Sequence, residues 1–536
     1  MRLTRVAVAN HSRLEDLSLE VREHLVLVGP NDVGKSSLLR CLDFLLGASN
    51  AQIYQRISAQ DFRDKEQPLI IEADLVDFGA TDEGLFPDEI TVDPSNGTKS
   101  LTLRLTGTTD GENLSVTRNA PGGGTGRQLS RSQIDGIGWR FLSATAISRD
   151  LREDRRGTVD DILEAVDLGA EQDDFDALAK QFQERLESSA VLSGLRGNLA
   201  DQLSKALPHP VVKDDLAFIP GATVNKEPLN DVQLRVNKDG EQRSLVEQSD
   251  GTRALYAIAL YDLVSVSSNV VAIDEPEIHL HPTSQRSLAK LLQSGSNQKV
   301  LATHSADIAG AFSPECIVAV RYGGRVVQPS AGFLTNDQKM SVRWWVRDKL
   351  EPLTALRVIA VEGISDRIIL ERASGLTNRN LDRLGVSVIE TGGAGDMGAV
   401  VKLFGATGFD IPMAMLIDED ARQATADKCG VPPADLEQHA TWVSNPDLEA
   451  EYVSAIGAAD LWQALNTSPL FTPNELANCT ATGPGGRMTD TDIASFCRKK
   501  SNYKVRAAMV VASMLTQPTV RSITSISKLL DEFLGA

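Results

Sequence analysis

Residues 24–46 read HLVLVGPNDVGKSSLLRCLDFLL, and this stretch decides the first part of the fold. The run HLVLV is short, apolar and bounded by a glycine turn, as a buried strand requires. KSSLLRCLDFLL has the apolar spacing of a helix. Between them Gly29 to Ser37, GPNDVGKSS, match G-x-x-x-x-G-K-[ST] in the strand-to-helix context that the motif needs. Gly29 and Gly34 permit backbone conformations that turn several N–H groups onto phosphate oxygens. Lys35 is expected to meet the β- and γ-phosphates and Ser36 to bind Mg²⁺ beside a nucleotide, ATP. Asn31 and Ser37 complete the expected nucleotide-binding set.

Three later stretches supply partners for that loop. In NVVAIDEPEIHLHP the apolar residues Val270 to Ile273 predict a buried strand whose end presents Asp274 and Glu275. Asp274 fits a Mg²⁺ ligand, and Glu275 a general base that polarises water. LATHSADI predicts another strand, ending in His304, placed to sense a γ-phosphate. In EQSDGTRAL, Ser249 and Gly251 start a helix whose N-terminus could face a second nucleotide. His279 and His281 read as loop-shaping residues, because the further ligands of a metal site are absent nearby.

These four elements, in this order, resemble the ABC-type ATPases of the branch that includes RecF and the SMC proteins. The SDGTR stretch departs from the transporter form of the signature, and its position makes it credible. The resemblance implies that the signature helix closes over ATP bound to a second subunit, and so a homodimer or higher homo-oligomer.

At 536 residues the chain is too long for one core, and two to four domains are expected. No apolar run approaches the roughly 18 residues of a membrane span, and the N-terminus MRLTRVAV reads as a strand rather than a signal peptide. The five cysteines are scattered and lack CxxC spacing, against both a disulfide framework and a zinc site. A reducing cytoplasm is the expected location. The formal net charge of −19 argues against passive coating of DNA. Any DNA contact is expected at local basic patches or through bridging metal ions.

Strand-like alternation fills residues 1–80, and a polar, Gly-rich stretch follows at about 94–135. Helical spacing over 157–207 predicts an arm or interface rather than a core layer. Strands and helices alternate again from 230 to about 330. The expected organisation is α/β: an ATPase domain over 1–335 with a helical dimerisation insert at about 157–207, a linker over 336–355, and a second α/β domain over 356–536 with a helical tail.

That second domain carries another acidic site. LRVIAVEGISDRIILERA reads strand, turn, helix, with Glu362 at the strand's C-terminal end and Asp366 in the first helical turn. PMAMLIDEDAR is a second apolar strand, ending in Asp418-Glu419-Asp420. Alternation puts Asp418 and Asp420 on one side and Glu419 on the other. ETGGAGDMG gives a turn near the same edge, and NPDLEAEYV adds Asp447, Glu449 and Glu451. So many carboxylates at strand ends repel one another unless hard cations hold them. Mg²⁺ or Mn²⁺ is the natural occupant, and two ions suit an in-line displacement at phosphorus.

E-G-x-x-D after one strand and D-x-D after the next resemble the Toprim domain of topoisomerases, primases and certain nucleases. An ABC-type ATPase followed by Toprim is the layout of the OLD (overcoming lysogenization defect) family, which includes the nuclease subunit of the Gabija phage-defence system. The resemblance implies metal ligation by Glu362, Asp366, Asp418 and Asp420, with Glu449 as the additional ligand. It also implies a basic residue in a late helix near the scissile phosphate, for which CRKKSNYKVRAAMVVASML offers Lys504, with Lys499 and Lys500 as rivals. ATP-regulated nicking or cutting of DNA follows from it, alone or beside a UvrD-type helicase. The rival reading is a RecF- or SMC-like DNA-binding ATPase with a non-catalytic Toprim fold; the intact acid set counts against it. DNA could lie on SRDLREDRR (148–156), RWWVRDK (343–349) or RKKSNYKVR (498–506).

Overall fold

In a computed structural model the described residues are 1–110, 113–123, 126–142, 181, 184–207, 209–220, 232–238, 241–244, 249, 251–252, 255, 268–336, 350–392 and 397–535. The chain divides into two compact units, the first running to Val327 and the second beginning at Gln328. The break precedes 335 because Ser330 N donates to Thr407 O at 2.8 Å and Phe333 packs edge-on against Phe409, both inside the second unit. Most of the expected linker, the 148–156 and 343–349 patches, and 157–180 of the expected insert lie outside the described residues.

In the first unit, a mainly parallel sheet has the strand order Val326–Val327, Ile317–Val320, Leu25–Val28, Gln298–Thr303, Val270–Asp274, Trp139–Leu142. Only Val326–Val327 runs antiparallel to its neighbour. Leu25–Val28 and Val270–Asp274 are buried at every position, as strands covered on both faces must be. A second sheet pairs Arg2–Ala9 between Leu17–Glu20 and Leu69–Val76 and continues through Lys99–Thr109. Leu69–Val76 alternates strictly between buried and half-buried residues, the pattern of a strand packed on one face. Helix Lys35–Leu46 is buried nearly all round, and its Leu38, Leu42 and Leu45 join one core with both sheets.

Helix Ala190–Ala206 is the longest described element of the expected insert. It buries Leu199, Ala200, Leu203 and Ala206 and packs on helix Pro282–Ser294. Its C-terminal half therefore packs on the body of the unit, where an arm or interface was expected of the whole segment. Four small or apolar residues, spaced along one face, suffice for this packing.

The second unit is built on a four-stranded parallel sheet, ordered Val386–Glu390, Arg357–Val361, Met413–Asp418, Thr441–Ser444. Helix Ile364–Leu376 packs against helix Ser501–Met514. Ile359, Val361 and Leu416 from the strands share a core with Phe496, Tyr503, Val511 and Leu530 from the helical tail. The tail is thus part of the unit's interior. Among the described residues no helix is long and apolar enough to cross a membrane.

Candidate nucleotide site and acidic centre

Parallel strands in the first unit bring the ends of Leu25–Val28, Val270–Asp274 and Gln298–Thr303 to one edge, where open α/β sheets bind ligands. Both loop glycines are required by close approach. A Cβ on Gly29 would stand 2.2 Å from Val320 O. Gly34 has φ +111°, and a Cβ there would stand 2.7 Å from Leu14 Cδ2. Ser36 Oγ donates to Asp274 Oδ1 at 3.0 Å. Lys35 Nζ donates to Gly29 O at 2.9 Å and Pro30 O at 2.7 Å, and lies 3.0 Å from His304 Nε2. Nε2 accepts from this ammonium when the ring proton is on Nδ1, and donates to Glu275 when Nε2 is protonated. Glu275 Oε1 is 3.2 Å from the same Nε2.

Burial pulls the Lys35 pKa down, against the pull of Glu275, Asp274 and Glu277. Burial also raises Asp274 to about 6. Lys35, Ser36, Asp274, Glu275 and His304 thus converge from three strand ends, while Asn31 is exposed and Ser37 buried beside them. Ser249 Oγ pairs with Thr252 Oγ1 at 2.9 Å, and Gly251 lies against the His279 carbonyl. His279 has a left-handed backbone, and His281 caps helix Pro282–Ser294, so both histidines shape the loop.

In the second unit the ligand oxygens of Glu362, Asp418 and Asp420 lie within 4.8 Å of one another. The ends of two adjacent parallel strands supply them. Asp418 N donates to Glu362 Oε1 at 2.9 Å, and Leu448 N donates to Asp418 Oδ1 at 3.0 Å. Asp366 stands outside that triad. Its Oδ2 accepts from Gly363 N at 3.0 Å, so it caps its own helix while its charge reaches Asp418. Glu419 turns away to Arg422 at 3.2 Å.

Glu449 is buried, and Lys504 Nζ is 3.4 Å from its Oε1 and 3.8 Å from Asp418 Oδ2. The rivals point elsewhere: Lys499 to Asn478 O, and Lys500 over the Tyr503 ring. Burial, then Glu362 and Asp366, push Asp418 up to about 8. Burial likewise pushes Asp366 to about 6 and raises Glu449. Burial lowers the Lys504 ammonium, but Glu449, Asp418 and Asp366 more than offset this and hold it above an ordinary lysine.

Residues 25–308, more than half of the chain, match the family described as "AAA domain, putative AbiEii toxin, Type IV TA system". The chain belongs to this AAA-domain family. Residues 353–420 match a second family, the overcoming lysogenization defect protein-like TOPRIM domain. An OLD nuclease of Thermus scotoductus is 25% identical over 454 residues, which are 78% of this chain and 82% of that protein. Endonuclease GajA of Bacillus cereus is 23% identical over 228 residues, 40% of this chain and 38% of GajA. Among solved structures, the Smc head domain with an extended coiled coil bound to the C-terminal domain of ScpA, from Pyrococcus furiosus, is 15% identical with a TM-score of 0.41. It covers 65% of this chain and 99% of that one. The chain therefore joins an AAA ATPase domain to an OLD-like TOPRIM domain.

One further residue, Glu277, belongs to the nucleotide site, and the acids of NPDLEAEYV divide among different partners. In the AAA domain, Glu277 is bound by Thr303 Oγ1 at 2.8 Å and by the His304 backbone N–H, so it fixes the histidine's position. Its signal was available in D-E-P-E, where a second carboxylate follows Glu275 by two residues. In the TOPRIM domain the third acidic group separates by role. Glu449 joins the cluster, Asp447 caps helix Leu448–Ile456 and pairs with Arg498, and Glu451 binds backbone and hydroxyl groups. No local pattern distinguishes these three.

The cluster suits divalent cations. Glu449 Oε2 is buried without a hydrogen-bond partner, which is costly for a carboxylate oxygen left dry. One lysine cannot neutralise five neighbouring acids, whereas hard cations take oxygen ligands of this kind.

Proposed function

We propose that this protein is an ATP-binding, metal-dependent DNA endonuclease whose AAA domain regulates a TOPRIM cutting site. The observation that carries the reading is the convergence of Glu362, Asp418 and Asp420 within 4.8 Å at adjacent strand ends. The nuclease relatives, matched across both domains in the Thermus case, support it. We assign the ATPase role to the first unit, which runs to Val327, and the nuclease role to the second unit.

Glu362, Asp418 and Asp420 would hold Mg²⁺ or Mn²⁺, with Glu449 and Asp366 completing the shell. Two ions in such a site lower the pKa of water and neutralise charge on the phosphate. Lys504, already drawn to the acids, is placed to bind a non-bridging phosphate oxygen once cations take over its carboxylate partners. In the AAA domain, Lys35 would exchange the Gly29 and Pro30 carbonyls for the β- and γ-phosphates, and Ser36 with Asp274 would hold a third Mg²⁺. Glu275, with His304, is positioned to orient water at the γ-phosphate. Ser249 and Gly251 would contribute to a second subunit's nucleotide in a homodimer. Defence against phage is the biological role in keeping with this architecture.

The test is plasmid DNA with Mg²⁺ or Mn²⁺, comparing wild type, Asp418→Ala and Lys35→Ala. We expect wild type to nick or cut, Asp418→Ala to lose cleavage, and Lys35→Ala to change its nucleotide response. Cleavage by Asp418→Ala at the wild-type rate, or no cleavage by wild type with any divalent metal, overturns the nuclease reading.

A further inference from the structure

The loop between the Thr441–Ser444 strand and helix Leu448–Ile456, with the first residue of that helix, lies against the acidic centre. It touches the D-x-D segment twice. Leu448 N donates to Asp418 Oδ1 at 3.0 Å, and Glu419 N donates to Pro446 O at 3.2 Å. The loop thereby sets where one Asp418 oxygen points and where the D-x-D backbone sits. Beside the Asp447–Arg498 pair, a second anchor of the loop is Glu451. Its Oε1 accepts from Asn445 N at 3.1 Å, at the start of the loop. Its Oε2 accepts from Ser525 N at 3.0 Å and from Ser525 Oγ at 2.8 Å, and Ser525 Oγ lies 2.9 Å from Ser444 Oγ. Ser444 and Ser525 are both buried. Charge-assisted bonds from a carboxylate to three donors are short and directional. Glu451 therefore uses both oxygens on the protein itself.

We infer that Glu451, with Ser525 and Ser444, is a positioning clamp that aims Asp418 into the metal cradle and ties the C-terminal helix Thr524–Phe533 to it. The inference rests on the proposed metal site. Its physical basis is that outer partners fixing a ligand's orientation govern metal affinity, and their loss typically costs about 10- to 100-fold. Glu451 turns both oxygens to protein donors and lies outside the Glu362, Asp418 and Asp420 triad, so it acts through the loop and Asp418 rather than by ligation.

The experiment measures Mn²⁺ binding by electron paramagnetic resonance, and the Mn²⁺ half-saturation and maximal rate of plasmid nicking, on the full-length protein. Variants are Glu451→Gln, Ser525→Ala and Ser444→Ala. We expect Glu451→Gln to weaken Mn²⁺ binding about tenfold, with the rate at saturating Mn²⁺ changed far less. Ser525→Ala is expected to shift affinity in the same direction by a smaller factor, and Glu451→Asp to restore it in part. If wild type binds Mn²⁺ and Glu451→Gln binds it equally well, the clamp is refuted while the metal site stands. If Glu451→Gln weakens binding and both serine variants leave it unchanged, Glu451 is a ligand and the clamp is again refuted. If wild type binds no Mn²⁺, the metal reading itself fails. Should Glu451→Gln lose its fold by circular dichroism, the two serine variants decide: weakened binding in a folded protein supports the clamp, and unchanged binding refutes it.

Discussion

Lys504 Nζ stands 3.4 Å from Glu449 Oε1, an ion pair spanning the helices Leu448–Ile456 and Ser501–Met514, with a buried carboxylate on one side. Lys504 is the cation drawn among Glu449, Asp418 and Asp366. Replacing it with methionine keeps the stem's volume and removes the charge. Cleavage at saturating Mn²⁺ should fall about 10²- to 10³-fold, the usual cost of losing one electrostatic donor to a reacting oxyanion. Single-turnover nicking measures it, and a fall of less than about threefold would exclude Lys504 from the phosphate.

A pH dependence follows from Asp418, which burial and then Glu362 and Asp366 push up to about 8. Its carboxyl group binds a proton more tightly in the folded protein than in the unfolded chain. Folding stability from this group is therefore fully present below about pH 4, the unfolded value, and is lost as pH rises through about 8. Metal-free protein in EDTA should show a falling Tm of the TOPRIM unit between pH 5 and pH 9. Adding Mn²⁺ should raise Tm, and more at pH 9 than at pH 5, because protons and cations compete for the same oxygens. Differential scanning fluorimetry tests both trends, and a metal-free Tm that rises over this range counts against the buried acid cluster.

Lys35 makes its contacts with its own loop and with His304, so Lys35→Ala should leave the TOPRIM unit's metal binding untouched. Binding of a fluorescent ATP analogue should drop at least tenfold, as expected where a charge-assisted phosphate contact is lost. Basal cleavage without nucleotide should persist, and its response to ATP should disappear. Equal ATP affinity in the variant would remove Lys35 from the phosphate site.

Gly29→Ala tests the loop's packing rather than its chemistry. The new Cβ would lie 2.2 Å from the Val320 carbonyl, a backbone atom that cannot swing aside. Overpacking of this kind costs about 1–3 kcal/mol. Urea unfolding should show a lower midpoint for the AAA unit, whereas Gly97→Ala, with open space around it but φ +72°, should cost only backbone strain.

Much of both sites was legible because their parts are local. The phosphate loop lies within nine residues between a strand and a helix, and E-G-x-x-D and D-x-D each follow one apolar strand. Their spacing implies a shared edge, and the parallel register of the Arg357–Val361 and Met413–Asp418 strands delivers it. Other roles were not legible. Asp447, Glu449 and Glu451 alternate along one short stretch, yet the first meets Arg498, the second Lys504 and the third Ser525. Those partners lie 51 to 74 residues away for the first and third, beyond any periodicity in the stretch itself.

The sequence by itself determined the two chemistries: a phosphate-binding loop with its acidic partner strand, and carboxylates at two strand ends. Short-range order is enough for this, because strand alternation and helix starts fix where such residues emerge. Tertiary structure decided which neighbours complete them. Helix packing between Ile364–Leu376 and Ser501–Met514 accompanies the choice of Lys504 over Lys499 and Lys500. Asp366, expected among four ligands at the strand ends, caps its own helix beside the Glu362, Asp418 and Asp420 triad, with its charge felt at Asp418. The physical reason is that a side chain's role depends on which distant surfaces bury it, and burial is settled only when the helices close on the sheet.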